Sequence, residues 1–158
     1  MLRVPSSHPN YSPLCDPRLP QEALAFRMRN KLATAQSLNA INVTAWLYRD
    51  EQGREGIQVN PNITIAELRE QFGPAETPDA EVGIHSEGRA AEYFRTHREL
   101  RVLQIFTERF PCRFMCAPLL RQYFPDVPWY YYFDRYSWVQ GGRLLKTAGQ
   151  VLKSVYAL

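Results

Sequence analysis

His85 and Glu87 stand two residues apart, and Pro111-Cys112 and Cys116 follow further along the chain. Imidazole nitrogen and thiolate sulfur are donors that zinc prefers. A catalytic zinc site takes three of them from the protein and keeps the fourth position for water. His85, Cys112 and Cys116 make such a set. Residues i and i+4 lie about 40° apart around a helix of 3.6 residues per turn, so both thiolates can face one ion. Pro111 suits the opening of that helix, where its missing N–H is not needed. Cys112 then falls in the first turn, where the helix dipole and the metal both favour the thiolate. Glu87, two residues after the histidine, is placed beside a water whose pKa zinc lowers to about 7, and can move its protons.

Elements must bring these residues together. Leu24, Met28, Leu32 and Ala35 recur at helical spacing and predict a first helix over residues 21–38. NVTAWLY from Asn42 and GIQV from Gly56 flank the charged turn DEQGRE, which reads as a β-hairpin with a longer loop. A short helix is expected from Thr64, with Glu67 in capping-box spacing, followed by a Gly- and Pro-containing loop over 73–83. A second long helix starts near His85 and runs to about Arg98. The apolar run RVLQIFT from Arg101 has the composition of a strand covered on both faces. A third helix opens at Pro111, VPWYYYF from Val127 is a further strand, and residues 143–157 carry an apolar stripe that predicts an amphipathic helix. The order α-β-β-α-β-α-β-α implies an α/β fold: one domain with a mixed sheet of four or five strands covered by helices.

The 158 residues suffice for one ordinary domain. Apolar residues make up 45 % and charged ones 22 %, the mix of a globular protein rather than a disordered one. No apolar run approaches a membrane span, and the first twenty residues lack the pattern of a signal peptide. Pro5, Pro9, Pro13, Pro17 and Pro20 make residues 1–20 read as a linker or tail, with the domain occupying 21–158. Three cysteines, an odd number, argue against a disulfide framework, and Cys15 stands alone in the tail. The net charge of +3 and the pI near 8.8 are compatible with a nucleic-acid partner without requiring one.

H-x-E followed by P-C-x-x-C is the signature of zinc nucleobase deaminases. Here HSEGRA, the strand leading into IFTERFPC and the following Cys116 resemble the bacterial toxin deaminases found at the C-termini of polymorphic secreted toxins, over roughly residues 42–133. The cysteines here are separated by three residues rather than two. Deaminases of polynucleotides vary at this spacing, and i,i+4 keeps both sulfurs on one helix face. The resemblance implies a cytidine-deaminase-like sheet and a Zn²⁺ ion held by His85, Cys112 and Cys116, with Glu87 as catalytic acid and base. The implied reaction converts cytosine to uracil in DNA by zinc-hydroxide attack at C4, a hydrolysis of an amidine C–N bond. The chain would be a monomeric effector domain without membrane association, delivered into the cytoplasm of a target cell, and an immunity protein would protect the producer.

Candidates for substrate contact come from position. Arg109, Phe110 and Pro111 lie on the loop entering the proposed site. Asn42 and Asn60 could reach a sugar or base. Trp129 opens an aromatic run through Phe133 that suits stacking of unpaired bases, although alternate residues of a strand point inward and core is the expected place for any one of them. Arg95, Arg98 and Arg101 with His97 form a basic cluster that also complements a helix dipole. Two other readings stay open: a deaminase of RNA, adenine or free nucleosides, and a zinc-stabilised nucleic-acid-binding module without turnover. Glu87 speaks against the latter, since a structural metal site has no use for a carboxylate beside an open position.

Overall fold

A charged turn closes the first hairpin: the Asp50 carboxylate accepts from the main-chain N–H of Gln52 and Arg54, and Gly53 takes φ +80°, where a side chain would strain the backbone. The computed structural model to which this turn belongs describes residues 14–62, 86–109, 116–133, 139–140, 143–144 and 147–158. Strands β1 (Val43–Arg49) and β2 (Glu55–Pro61) leave the turn antiparallel. Strand β3 (Arg101–Arg109) lies antiparallel to β1 on its other side, and β4 (Trp129–Phe133) runs parallel to β3. The result is a four-stranded mixed sheet in the order β2-β1-β3-β4, an α/β arrangement with helices on both faces. Two short strands, β5 (Val139–Gln140) and β6 (Arg143–Leu144), form a separate ribbon.

Because side chains alternate along a strand, β1 and β3 each supply two cores. Val43, Ala45, Leu47 and Phe106 pack with Leu19 and Ala23 of helix α1 (Arg18–Arg29). Trp46, Val102 and Ile105 face the other way, onto Ala90, Ala91 and Phe94 of α3 (Ser86–Thr96) and Leu120 of α4 (Cys116–Tyr123). The Trp46 indole stacks on Phe94 at 5.3 Å. Helix α5 (Ala148–Val155) lays Val151, Leu152 and Val155 against Leu24 of α1 and Leu38 of α2 (Ala35–Ala40). Each such buried side chain contributes about 1.5–3 kcal/mol.

The first helix differs from the expectation of one span over 21–38. It begins three residues earlier, because Asp16 accepts the N–H of Arg18 and Pro20 falls in the first turn, where no N–H is needed. It also breaks in the middle. Lys31 takes φ +57° and the Leu32 N–H returns to the Arg27 carbonyl, a Schellman ending; Thr34 then caps α2 by accepting from the Ser37 N–H. The last helix starts at Ala148 rather than 143, since Arg143 and Leu144 belong to β6 and Thr147 provides the N-cap. From Leu14 onward the Pro-rich segment is joined to the fold: Gln104 donates to the Leu14 carbonyl and accepts from the Asp16 N–H, and Cys15 and Leu19 are buried. Residues 1–13, the helix expected from Thr64 and the loop over 73–83 lie outside the described residues.

Sequence periodicity gave no hint of a fully buried ion pair between α1 and β3. The Arg27 guanidinium meets both oxygens of Glu108, at 2.8 and 2.7 Å, and also donates to the carbonyls of Leu32 and Ile41. Glu108 further accepts the Val43 N–H at 2.9 Å and the Tyr156 hydroxyl at 2.6 Å. Every buried charge in the group is thereby met by a partner.

Candidate active site

Topology decides which ends of α3, β3 and α4 lie together. Helix α3 joins β3 through a tight turn in which the Leu100 N–H donates to the His97 carbonyl, so its N-terminus lies at the C-terminal end of β3. Helix α4 connects β3 to the parallel β4 and must run back along the sheet, which starts it at the same edge. His85 immediately precedes α3, and Cys116 is the first residue of α4.

Glu87 occupies the first turn of α3 and is 3 % exposed. Its Oε1 accepts from the Thr107 hydroxyl at 2.7 Å and from Asn42 Nδ2 at 3.2 Å. Asn42 Nδ2 also reaches Thr107 Oγ1 at 3.1 Å, so the three polar groups close a triangle. The Asn42 carbonyl oxygen accepts the Arg109 main-chain N–H at 3.1 Å. That fixes the amide's orientation: reversed, it would set N–H against N–H and an oxygen against the carboxylate. The main chain of Asn42 exchanges two hydrogen bonds with Asn62, using its side-chain oxygen at 2.8 Å and its N–H at 3.0 Å. Residues from α3, β3 and the entry to β1 thus converge on one carboxylate oxygen.

Of the residues singled out in the sequence, Glu87, Asn42 and Arg109 are brought together. The Arg109 guanidinium turns towards α2 and donates to the Asn39 carbonyl at 3.3 Å. Trp129 lies on the same sheet face as Thr107, two residues before Tyr131, which is Thr107's register partner. It packs into the apolar cluster under α3 and α4, with the Arg121 guanidinium 6.0 Å above its ring. Asn60 accepts from Gln58 on β2. The cluster of Arg95, Arg98 and Arg101 sits at the opposite end of β3 from Glu87, where Arg95 covers the Tyr123 ring at 4.4 Å. His85, Phe110, Pro111 and Cys112 lie outside the described residues. Among the described residues no group of three or more His, Cys, Asp or Glu could hold a metal.

Thr107 is the site residue that sequence reasoning missed. Its signal is a hydroxyl in the apolar run RVLQIFT, two positions after Ile105 and hence on the face that meets α3. Comparison with protein-family models, with curated proteins and with solved structures found no match for this chain.

Proposed function

We propose that this chain is a zinc-dependent deaminase of cytidine-deaminase-like fold that converts cytosine to uracil in DNA, the catalytic domain of a bacterial toxin. The observation that carries the reading is Glu87: a carboxylate two residues after His85 in the sequence, buried at the end of the sheet where α4 begins with Cys116, and held by Thr107 and Asn42. A borderline nitrogen and two sulfurs fit zinc with one position left open. Zinc held by His85, Cys112 and Cys116 would supply an acidified water. Glu87 would take one proton from the attacking water and pass it to ring N3 as the oxygen adds at C4. It would then take the remaining O–H proton and deliver it to the amine, which leaves as ammonia as the C4 carbonyl forms. Burial keeps bulk water from competing for these protons, and two donors on Oε1 keep the carboxylate in one pose.

A toxin of this kind also calls for an immunity protein that covers the site in the producing cell. The test is incubation with single-stranded DNA, duplex DNA, RNA and free cytidine, followed by sequencing or chromatography for uracil. Uracil in DNA well above that formed from cytidine is expected. Equal rates on free cytidine would make the protein a nucleoside-salvage enzyme, and zinc without product on any substrate would make it a binding module.

A further inference from the structure

Asn42 is a residue whose type suits a sugar or base contact, yet its surroundings assign it another task. We infer that Asn42 is a positioning residue for Glu87, acting with Thr107, and not a contact to the substrate; the inference rests on the deaminase reading of this site.

Both ends of the Asn42 amide are engaged within the protein. Its oxygen accepts the Arg109 N–H, and its nitrogen points between Glu87 Oε1 and Thr107 Oγ1. Turning the amide towards a ligand would break its bonds to the Arg109 N–H, the Glu87 carboxylate and the Thr107 hydroxyl together. The backbone beneath Asn42 is equally fixed. The carbonyl of Ile41 is taken by Arg27 and the N–H of Val43 by Glu108, both from the ion pair buried on the opposite face of the sheet. Residues 41 and 43 are therefore anchored on one side while the side chain between them grips Glu87 on the other. The Thr107 hydroxyl has one hydrogen and two acceptors in reach, Glu87 Oε1 at 2.7 Å and the Arg109 carbonyl at 2.9 Å. The charged acceptor makes the stronger bond. A carboxylate so held needs no reorientation before proton transfer, and a displacement of about 1 Å can lower a rate about 10²-fold.

The test compares wild type with Asn42→Ala, Thr107→Val and Thr107→Ser, each first checked for zinc content and melting temperature. For Asn42→Ala, kcat should fall about 10²-fold while KM stays within about threefold. Thr107→Ser, which keeps the hydroxyl, should retain at least about tenfold more of the rate than Thr107→Val. Hydrogen exchange supplies a readout independent of turnover: the Arg109 amide should exchange faster in Asn42→Ala. A raised KM with kcat preserved would make Asn42 a substrate contact and overturn the inference. So would unchanged kinetics, or unchanged exchange at Arg109. A wild-type protein inactive on all four substrates would overturn the deaminase reading and the clamp's catalytic role with it. That failure is recognised before any substitution is made.

Discussion

The Thr107 hydroxyl stands 2.7 Å from Glu87 Oε1, joining the strand at the centre of the sheet to the first turn of the helix beside it. The bond does not require a charge on residue 87, because the carbonyl of a glutamine can also accept it, though more weakly. Glu87→Gln should therefore fold normally, with a melting temperature within about 5 °C of wild type. Its deamination rate should drop by about 10²–10⁴-fold, the contribution of general acid–base catalysis. Uracil formation measured beside a melting curve checks both. More than about a tenth of the wild-type rate in this variant would show that another group moves the protons.

Zinc at one ion per chain is expected. Cys116→Ala should lose the metal and much of the stability, since the free energy of binding the metal to the folded chain is also free energy of folding. Metal analysis of purified protein decides it. Full zinc in Cys116→Ala would remove this cysteine from the ligand set.

The ion pair across the other face of the sheet gives an ordered pair of stability effects. Burial works against the Arg27 charge, but the Glu108 carboxylate outweighs it and holds the guanidinium's pKa above its ordinary value. Arg27→Met would leave that carboxylate buried without its cation and should cost about 3–5 kcal/mol. Tyr156→Phe removes only the hydroxyl that donates to Glu108, a loss of about 1.5–3 kcal/mol for a bond to a charged group. Urea titrations should rank Arg27→Met as the more destabilising; the reverse order would mean that Glu108 is held chiefly by its neutral donors.

The reach of sequence reasoning here has a physical boundary. Strands β1 to β4 were legible because alternation and β-branched composition report burial directly, and the HSE and PCRFMC segments name donor atoms. The break in the first helix was not, because it depends on Lys31 in a left-handed conformation and on Arg27 reaching the carbonyls of Leu32 and Ile41. Arg27 reads in the sequence as one basic residue among several on a helix, and only the pairing of β3 beside α1 brings Glu108 to it. Asn42 drew notice for its type alone. Its bonds to Glu87 and Arg109 span 45 and 67 residues of chain, a relation that no local pattern encodes.

Cys15 offers a measurement that needs no substrate. Burial, with a smaller contribution from the Asp16 charge, pushes its thiol from an ordinary value near 9 up to about 12. The thiolate is the reactive form, so labelling of Cys15 at pH 8 should be at least about 10²-fold slower in native than in denatured protein, read residue by residue by mass spectrometry. The pH dependence follows in sign. A folded pKa above the unfolded one means that the native state holds the proton more tightly. This contribution to stability is complete below about pH 9 and is lost as pH rises towards 12. Rapid native labelling would show that the segment around Leu14 opens readily from Gln104.

Arg109 carries the last prediction, because its main chain and side chain do separate things. The N–H holds Asn42 and survives any substitution short of proline, whereas the guanidinium reaches the Asn39 carbonyl of α2. Arg109→Ala therefore leaves the grip on Glu87 in place and removes one positive charge from the chain entering the proposed site. If that charge meets a phosphate of a bound polynucleotide, each such contact releases about one counterion, and the slope of log affinity against log salt should become shallower by about one. Turnover on DNA should weaken through KM, with zinc content unchanged. An unchanged salt slope together with a lowered melting temperature would assign Arg109 to the packing of α2 alone, and would leave the recognition of DNA to other residues.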